Sequence, residues 1–146
     1  MSEKNPRLFE NYKKDLTDKI KTRLMSLDYS PQFEKNAISI LKKRYFEKDE
    51  MGVCQEDIKR LFARVASNIA YPDFHYNQDE ELMYKSAQEF FEIMAKREFI
   101  PNSPTLMNAG RAEQQLSACF VIPIKDDMNS ILEGIRDTGM IHKSGG

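Results

Sequence analysis

The chain has 146 residues, a net charge of -1, 31% charged and 40% hydrophobic residues, which fits one ordinary globular domain with a real core. Near-neutral charge excludes an electrostatic nucleic-acid binder, which needs a basic excess. No apolar run approaches the roughly 18 residues that cross a bilayer, and the start MSEKNPRLFENYKKD lacks a signal-peptide core, so a cytoplasmic protein is expected. Two cysteines, Cys54 and Cys119, make no disulfide framework, and His75 and His142 lack metal-ligand spacing, so no metal site is expected.

Residues 1–7 read as a loose terminus. Over 8–27, Leu16, Ile20, Leu24 and Leu27 fall at helical spacing. The basic cluster Lys13, Lys14, Lys19, Lys21 and Arg23 is interleaved with Asp15 and Asp18 and reads as a solvated face. Ser30-Pro31 predicts the next helix start, Ser as N-cap and Pro in the first turn, with Phe33, Ala37, Ile38, Leu41 and Tyr45 on one face. That helix is expected to end near Phe46, before a polar connection at 47–52. Cys54 stands beside a helix start at Gln55-Glu56-Asp57, where a thiol pKa can fall, although an incidental small residue explains it more simply.

A third helix carries Ile58, Leu61, Phe62, Val65, Ala66 and Ile69 and is expected to stop before Pro72. PDFHYN then reads as a loop pinned to the core by its rings. Asn77 with Glu80 suggests a capping box for a fourth helix bearing Leu82, Met83, Phe90, Phe91 and Met94, ending near Phe99. Residues 1–100 are therefore expected to form a helical domain.

The character changes at 101–146. Pro101 and Pro104 bracket a polar turn, Asn102-Ser103, followed by Thr105; Asn108-Ala109-Gly110 makes a second turn. Cys119 stands in Leu116-Ser117-Ala118-Cys119-Phe120-Val121. Residues 120–124 predict a short strand, buried or nearly so, ending near Pro123. Asp126 and Asp127 offer an N-cap to a last helix with Met128, Ile131, Leu132 and Ile135. Such a pair also suits a ligand hydroxyl or ribose, and composition does not separate the two. A single strand has nothing to pair with, so the fold reads as unfinished, or the strand finds its partner in another chain.

PNSPTLMNAG, QLSACFVIPI, DDMNSI and IHKSGG, in this order, resemble the start of the large catalytic chain of ribonucleotide reductase, most closely its adenosylcobalamin-dependent class. FEKNAISILKKRYFEKDE and the fourth helix lie at matching distances before them, and the resemblance extends from about Leu24 onward. It implies a mainly α fold: an N-terminal helical domain (1–100), then the first strand and helix of an incomplete α/β barrel (101–146). It also implies conversion of ribonucleotides to deoxyribonucleotides by radical chemistry. Cys119 matches one member of the redox cysteine pair. Ser103, Ala118 and Cys119, and less strongly Thr105, match positions that hold the substrate.

Asp126 matches a position of the effector site, near a dimer interface; its neighbour Asp127 departs from the serine often found there. The second redox cysteine, the radical-carrying cysteine and the cobalamin surface have no counterpart here, and Cys54 matches none of them. The resemblance thus implies adenosylcobalamin, a deoxynucleotide effector, the remainder of the reductase chain, a homodimer and a thioredoxin-type reductant as partners, and a chain inactive alone. Two other readings stand beside it. One is a non-catalytic helical binding or regulatory module of reductase ancestry. The other is a thiol protein pairing Cys54 with Cys119, which requires Cα atoms roughly 4.4–6.8 Å apart.

Overall fold

A computed structural model describes residues 6–112 and 114–143, with side chains described from Phe9 onward. The loose terminus expected at 1–7 falls largely outside these residues, as do the closing Ser144, Gly145 and Gly146.

The centre of the fold is α3 (Ile58–Ile69). Nine of its residues are buried, from Ile58 to Asn68, among them the polar Arg64, Ser67 and Asn68. A helix of that kind has to be covered on several sides. Helix α1 (Pro6–Met25) covers one side through Leu16, Ile20 and Leu24, and α5 (Glu80–Ala95) covers another through Met83, Ala87, Phe91 and Met94. Phe62, Phe91, Leu61, Ile20 and Leu24 are the largest fully buried side chains. These three helices match the expected periodic segments. At the rim of the α1–α5 contact, Arg23 forks onto Glu81 at 2.9 and 3.1 Å and lies 3.5 Å from the Tyr84 ring centroid. Lys19 pairs with Glu80 beside it. These pairs are solvent-exposed and set the angle between the helices more than they stabilise it.

The helix starts are fixed by short side-chain oxygens. Asp57 accepts the backbone N–H of Arg60 at 2.8 Å and caps α3. We expect Asp57→Ala to cost about 1 kcal/mol, read as a lower urea midpoint with an unchanged slope. Helix α5 is capped by Asp79, which accepts from Glu81 and Leu82, and not by Asn77 as the capping-box pattern suggests. Asn77 instead ends α4 (Tyr71–Asn77), its amide donating to the Asp73 carbonyl.

That helix is itself a correction. PDFHYN is not a loop: Pro72 sits in the first turn of α4, where a missing N–H costs nothing, and Tyr71 and Phe74 are buried. The proline that ends one helix starts the next. Ser30-Pro31 fails in the opposite sense. Helix α2 (Lys35–Arg44) begins later, after Glu34, and Ser30 caps nothing. Residues 31–34 run extended instead, because Pro31 is buried and Phe33 packs edge-on against Phe62 at 5.8 Å. Burying those two groups outweighs a cap. Helix α5 stops at Ala95, short of Phe99, where Arg97 turns the chain in the left-handed region (φ 64°).

Between α2 and α3 the polar connection closes on itself. Asp49 accepts from Met51, Val53 and the Gln55 amide, Gly52 takes φ 79°, and Lys48 and Cys54 form an isolated antiparallel bridge.

After α5 come α6 (Ser103–Asn108) and α7 (Met128–Lys143). The Asn102-Ser103 turn is thus the start of a short helix: Asn102 caps it by accepting from Thr105, and Pro104 occupies its first turn. Asp127 caps α7 by accepting from Ser130 at 2.9 Å, as expected for one of the aspartate pair. The strand expected at 120–124 is absent among the described residues. The segment has no regular structure and is mostly exposed, with Val121 at 97%. An extended run becomes a strand only when another edge satisfies its N–H and C=O groups, and the described residues present none there. The barrel expected from 101 onward is correspondingly not formed among these residues. A local packing contact ties this run to α7: Ile124 covers Gly134, where a Cβ would stand 3.0 Å from the Ile124 methyl. None of the described helices is long and apolar enough to cross a membrane.

Candidate active-site segment

Helix α6 is too short to hold itself in place. It is held by one buried cation on α3. Arg64 is 4% exposed, an arginine inside the apolar run Leu61-Phe62-Ala63-Arg64-Val65-Ala66. Its guanidinium forks onto Glu56, Nε to Oε1 at 2.7 Å and Nη2 to Oε2 at 3.1 Å, and the Glu56 side chain is only 5% exposed. The remaining donors reach carbonyls: Nη1 to Ala109, Nη2 to Leu106 at 3.3 Å and to Tyr45 at 3.4 Å. Leu106 and Ala109 belong to the end of α6, Tyr45 to the end of α2. One side chain therefore satisfies carbonyls that two helix ends leave without partners.

Gly110 makes this approach possible. It takes φ 77°, and a Cβ there would stand 2.9 Å from Arg64 Cγ. Arg111 follows, donating from Nη2 to the Tyr45 carbonyl at 2.8 Å, while its Nε is buried without a partner. Burial first, and then the nearby Arg64 guanidinium, pull Arg111 below the usual arginine range, against the pull of Glu56 and Glu47.

The site residues expected from sequence are distributed along this frame. Ser103 opens α6, half-buried, its Oγ 2.9 Å from the Tyr45 hydroxyl. Thr105 lies one turn in. Its hydroxyl faces Asn102 Oδ1 at 2.6 Å and the Leu116 carbonyl at 3.2 Å, so its immediate role is to tie α6 to the segment that follows. Asn108 does the same, its amide donating to the Gln115 carbonyl at 2.7 Å. Two ties therefore fix 115–116 beside α6. The chain beyond them carries Ala118 and Cys119 into solvent. Both cysteines are free thiols; Cys54 is half-buried, with its Sγ 3.7 Å from the Lys42 carbonyl, so the pairing of Cys54 with Cys119 is not made. Asp126 and Asp127 lie further on, both exposed, at the start of α7. The structure thus gathers Ser103, Thr105 and the approach to Cys119 on one short frame and leaves the aspartates on a separate element.

Sequence reasoning missed the frame itself. Tyr45 reads as one more apolar face position, and Glu56 as part of a helix start. Arg64 carried the one available signal, a charge in the middle of a buried stripe, where a cation is found only when paired.

Two cavities adjoin the frame. One, about 300 Å³, is apolar and lined by Val65, Ile69, Phe90, Met94, Phe99 and Thr105. The other, about 690 Å³, is polar and bordered by Lys14, Lys21, Lys48, Asn68 and Arg111.

A family model described as the ribonucleotide reductase all-alpha domain matches residues 31–114, more than half of the chain and running through α6. A vitamin B12-dependent ribonucleoside-diphosphate reductase of Thermoplasma acidophilum is 31% identical over 76% of this chain and 21% of its own length. The protein of the same name from Mycobacterium tuberculosis H37Rv is 34% identical over 75% of this chain and 15% of its own. A ribonucleoside-diphosphate reductase subunit alpha of Helicobacter pylori J99 is 30% identical over 79% and 14%. The chain spans about a fifth or less of the length of these relatives. With its helical core, its α6 frame and this match in agreement, the chain belongs to the ribonucleotide reductase family, through that family's all-alpha domain.

Proposed function

We propose that this chain serves as the N-terminal part of an adenosylcobalamin-dependent ribonucleotide reductase, with residues 1–100 as helical domain and 101–146 leading into the catalytic barrel. The observation that carries the reading is the frame around α6. It fixes Ser103 and Leu116 by hydrogen bonds and presents Cys119, three residues further, as an exposed free thiol.

Reduction removes the ribose 2′-hydroxyl as water and takes up two electrons. Two thiols supply them: the two S–H bonds break, one S–S bond forms, and the released protons and electrons are consumed with the hydroxyl. Cys119 is one of these thiols; its partner and the radical-carrying cysteine belong to the rest of the enzyme. Ser103, with Ala118 and Cys119 and with Thr105 behind them, holds the ribonucleotide so that the thiol meets the 2′-carbon. In the complete enzyme, strand pairing of 120–124 within the barrel would replace the exposure of Cys119 seen here with a rigid, dry setting. Asp126 and Asp127, at the start of α7, take the deoxynucleotide effector beside a homodimer contact, and a thioredoxin-type protein reopens the disulfide.

The relatives named vitamin B12-dependent support adenosylcobalamin, which supplies the initiating radical when bound. The larger cavity here is lined by charged side chains of both signs, Lys14, Lys21 and Lys48 beside Glu10, Asp18 and Glu47, and no residue of this chain is assigned to hold it.

A second reading, a non-catalytic docking module, draws on the exposed apolar groups of α7 and of the run before it: Val121, Met128, Leu132 and Ile135. One assay separates the two. Residues 1–146 alone, given ribonucleoside di- or triphosphates, adenosylcobalamin and a dithiol, are expected to form no deoxyribonucleotide, whereas the complete enzyme turns over. Turnover by 1–146 alone defeats the proposal, and an inactive complete polypeptide favours the docking module.

A further inference from the structure

We infer that Tyr45 is a positioning residue for the substrate, acting through the hydroxyl of Ser103. This rests on the reading of Ser103 as a substrate-holding group.

Tyr45 is fixed at every polar atom. Its backbone N–H donates to the Leu41 carbonyl at 2.8 Å. Its carbonyl accepts from Arg64 at 3.4 Å and from Arg111 at 2.8 Å. Its ring is buried, and its phenol lies 2.9 Å from Ser103 Oγ. The phenol therefore has no freedom to follow Ser103; Ser103 follows the phenol.

The chemistry of the contact sets its direction. A phenol is more acidic than an aliphatic hydroxyl and is the better donor of the two. With the phenol donating, Ser103 accepts this hydrogen bond from the buried side. Its own proton is then left for the open side, where Ser103 is only half-buried. A serine held this way is a directed donor, suited to a phosphate or hydroxyl oxygen of a nucleotide. An untethered serine at the same place would spread over three rotamers and pay for ordering on each binding event. Helix α2, which buries none of its own residues, thus reaches the substrate segment through the residue that caps its C-terminus.

The test compares Tyr45→Phe, Ser103→Ala and the double variant in the complete enzyme. Tyr45→Phe is expected to raise the substrate KM about fivefold, the worth of one ordinary hydrogen bond, with kcat and thermal midpoint unchanged. Ser103→Ala is expected to raise KM at least as much, and adding Tyr45→Phe to it to change nothing further. If Ser103→Ala raises KM and Tyr45→Phe does not, the inference falls and the role of Ser103 stands. If Ser103→Ala leaves KM unchanged, the underlying reading falls and takes the inference with it. An effect of Tyr45→Phe that is equally large in the Ser103→Ala background, or that arrives as a lower thermal midpoint, marks a role in folding alone and also overturns it.

Discussion

Serine in place of Cys119 is expected to stop ribonucleotide reduction by the complete enzyme and to leave the helical domain as stable as before. The two halves of this expectation come from different parts of the structure. Cys119 touches none of the core: it is exposed, on a segment without regular structure beyond the last tie to α6. An exposed thiol replaced by a hydroxyl of similar size is expected to change stability by no more than about 0.5 kcal/mol. Chemistry responds otherwise. A serine hydroxyl cannot form an S–S bond, so the two electrons have no donor, and turnover should fall by about three orders of magnitude or more, as when a group that itself reacts is removed. The measurement is deoxyribonucleotide formed per enzyme with excess dithiol, beside a urea titration of 1–146. Cys54→Ser is the control and should keep full turnover, since Cys54 sits in the turn before α3 with its thiol toward the Lys42 carbonyl. Full turnover by Cys119→Ser would remove the redox role from this cysteine.

The sequence conveys the helical core far better than it conveys what joins α6 to it. Helices α1, α3 and α5 each bury one consistent face, so Ile20, Leu61 and Phe91 could be placed from periodicity alone. Prolines were harder, because the same residue ends a helix or begins one. Pro72 and Pro104 both sit in first turns, while Pro31 is buried in extended chain. Only the packing of neighbours such as Phe33 on Phe62 decides between these fates. The run 120–124 has the composition of a buried strand and remains unpaired, because pairing depends on a partner edge that no local pattern records. Ser103 and Cys119 were legible only as members of a motif; their surroundings, Tyr45, Glu56 and Arg64, come from 58, 47 and 39 positions away or from unrelated helices, and contacts of that range leave no periodic trace. The arginine in the middle of α3 was the exception, a visible charge with an invisible partner.

That partner carries the largest stability prediction. Glu56→Gln is expected to destabilise residues 1–146 by about 3 kcal/mol, a large part of the ~5–15 kcal/mol that holds a domain folded. Both side chains of the pair are about nineteen-twentieths buried, so the guanidinium left behind has no counter-ion and little water. Glutamine keeps one acceptor for Arg64 Nε but turns an NH2 toward Nη2, donor against donor. The backbone N–H of Glu47, which Glu56 also accepts, loses its partner on the same side.

A competing view holds that buried ion pairs are replaceable, since apolar side chains of similar volume often serve as well. Here that view makes a distinct forecast. If charge pairing is all that matters, Glu56→Gln combined with Arg64→Met should recover most of the loss. The geometry argues the other way. Arg64 also donates to the carbonyls of Tyr45, Leu106 and Ala109, and methionine leaves all three without that donor, at about 1–3 kcal/mol for each one that water cannot reach. The double variant is therefore expected to be no more stable than Glu56→Gln alone. Its α6 should exchange amide protons faster than α3 and α5, because the short helix loses its anchor while the core keeps Phe62 and Phe91. Urea midpoints of the two variants, with hydrogen exchange read over 103–108, decide between them. Recovery in the double variant would reduce Arg64 to one half of an ion pair. Continued loss with a loosened α6 would make it the link by which the helical core holds the segment that carries Ser103.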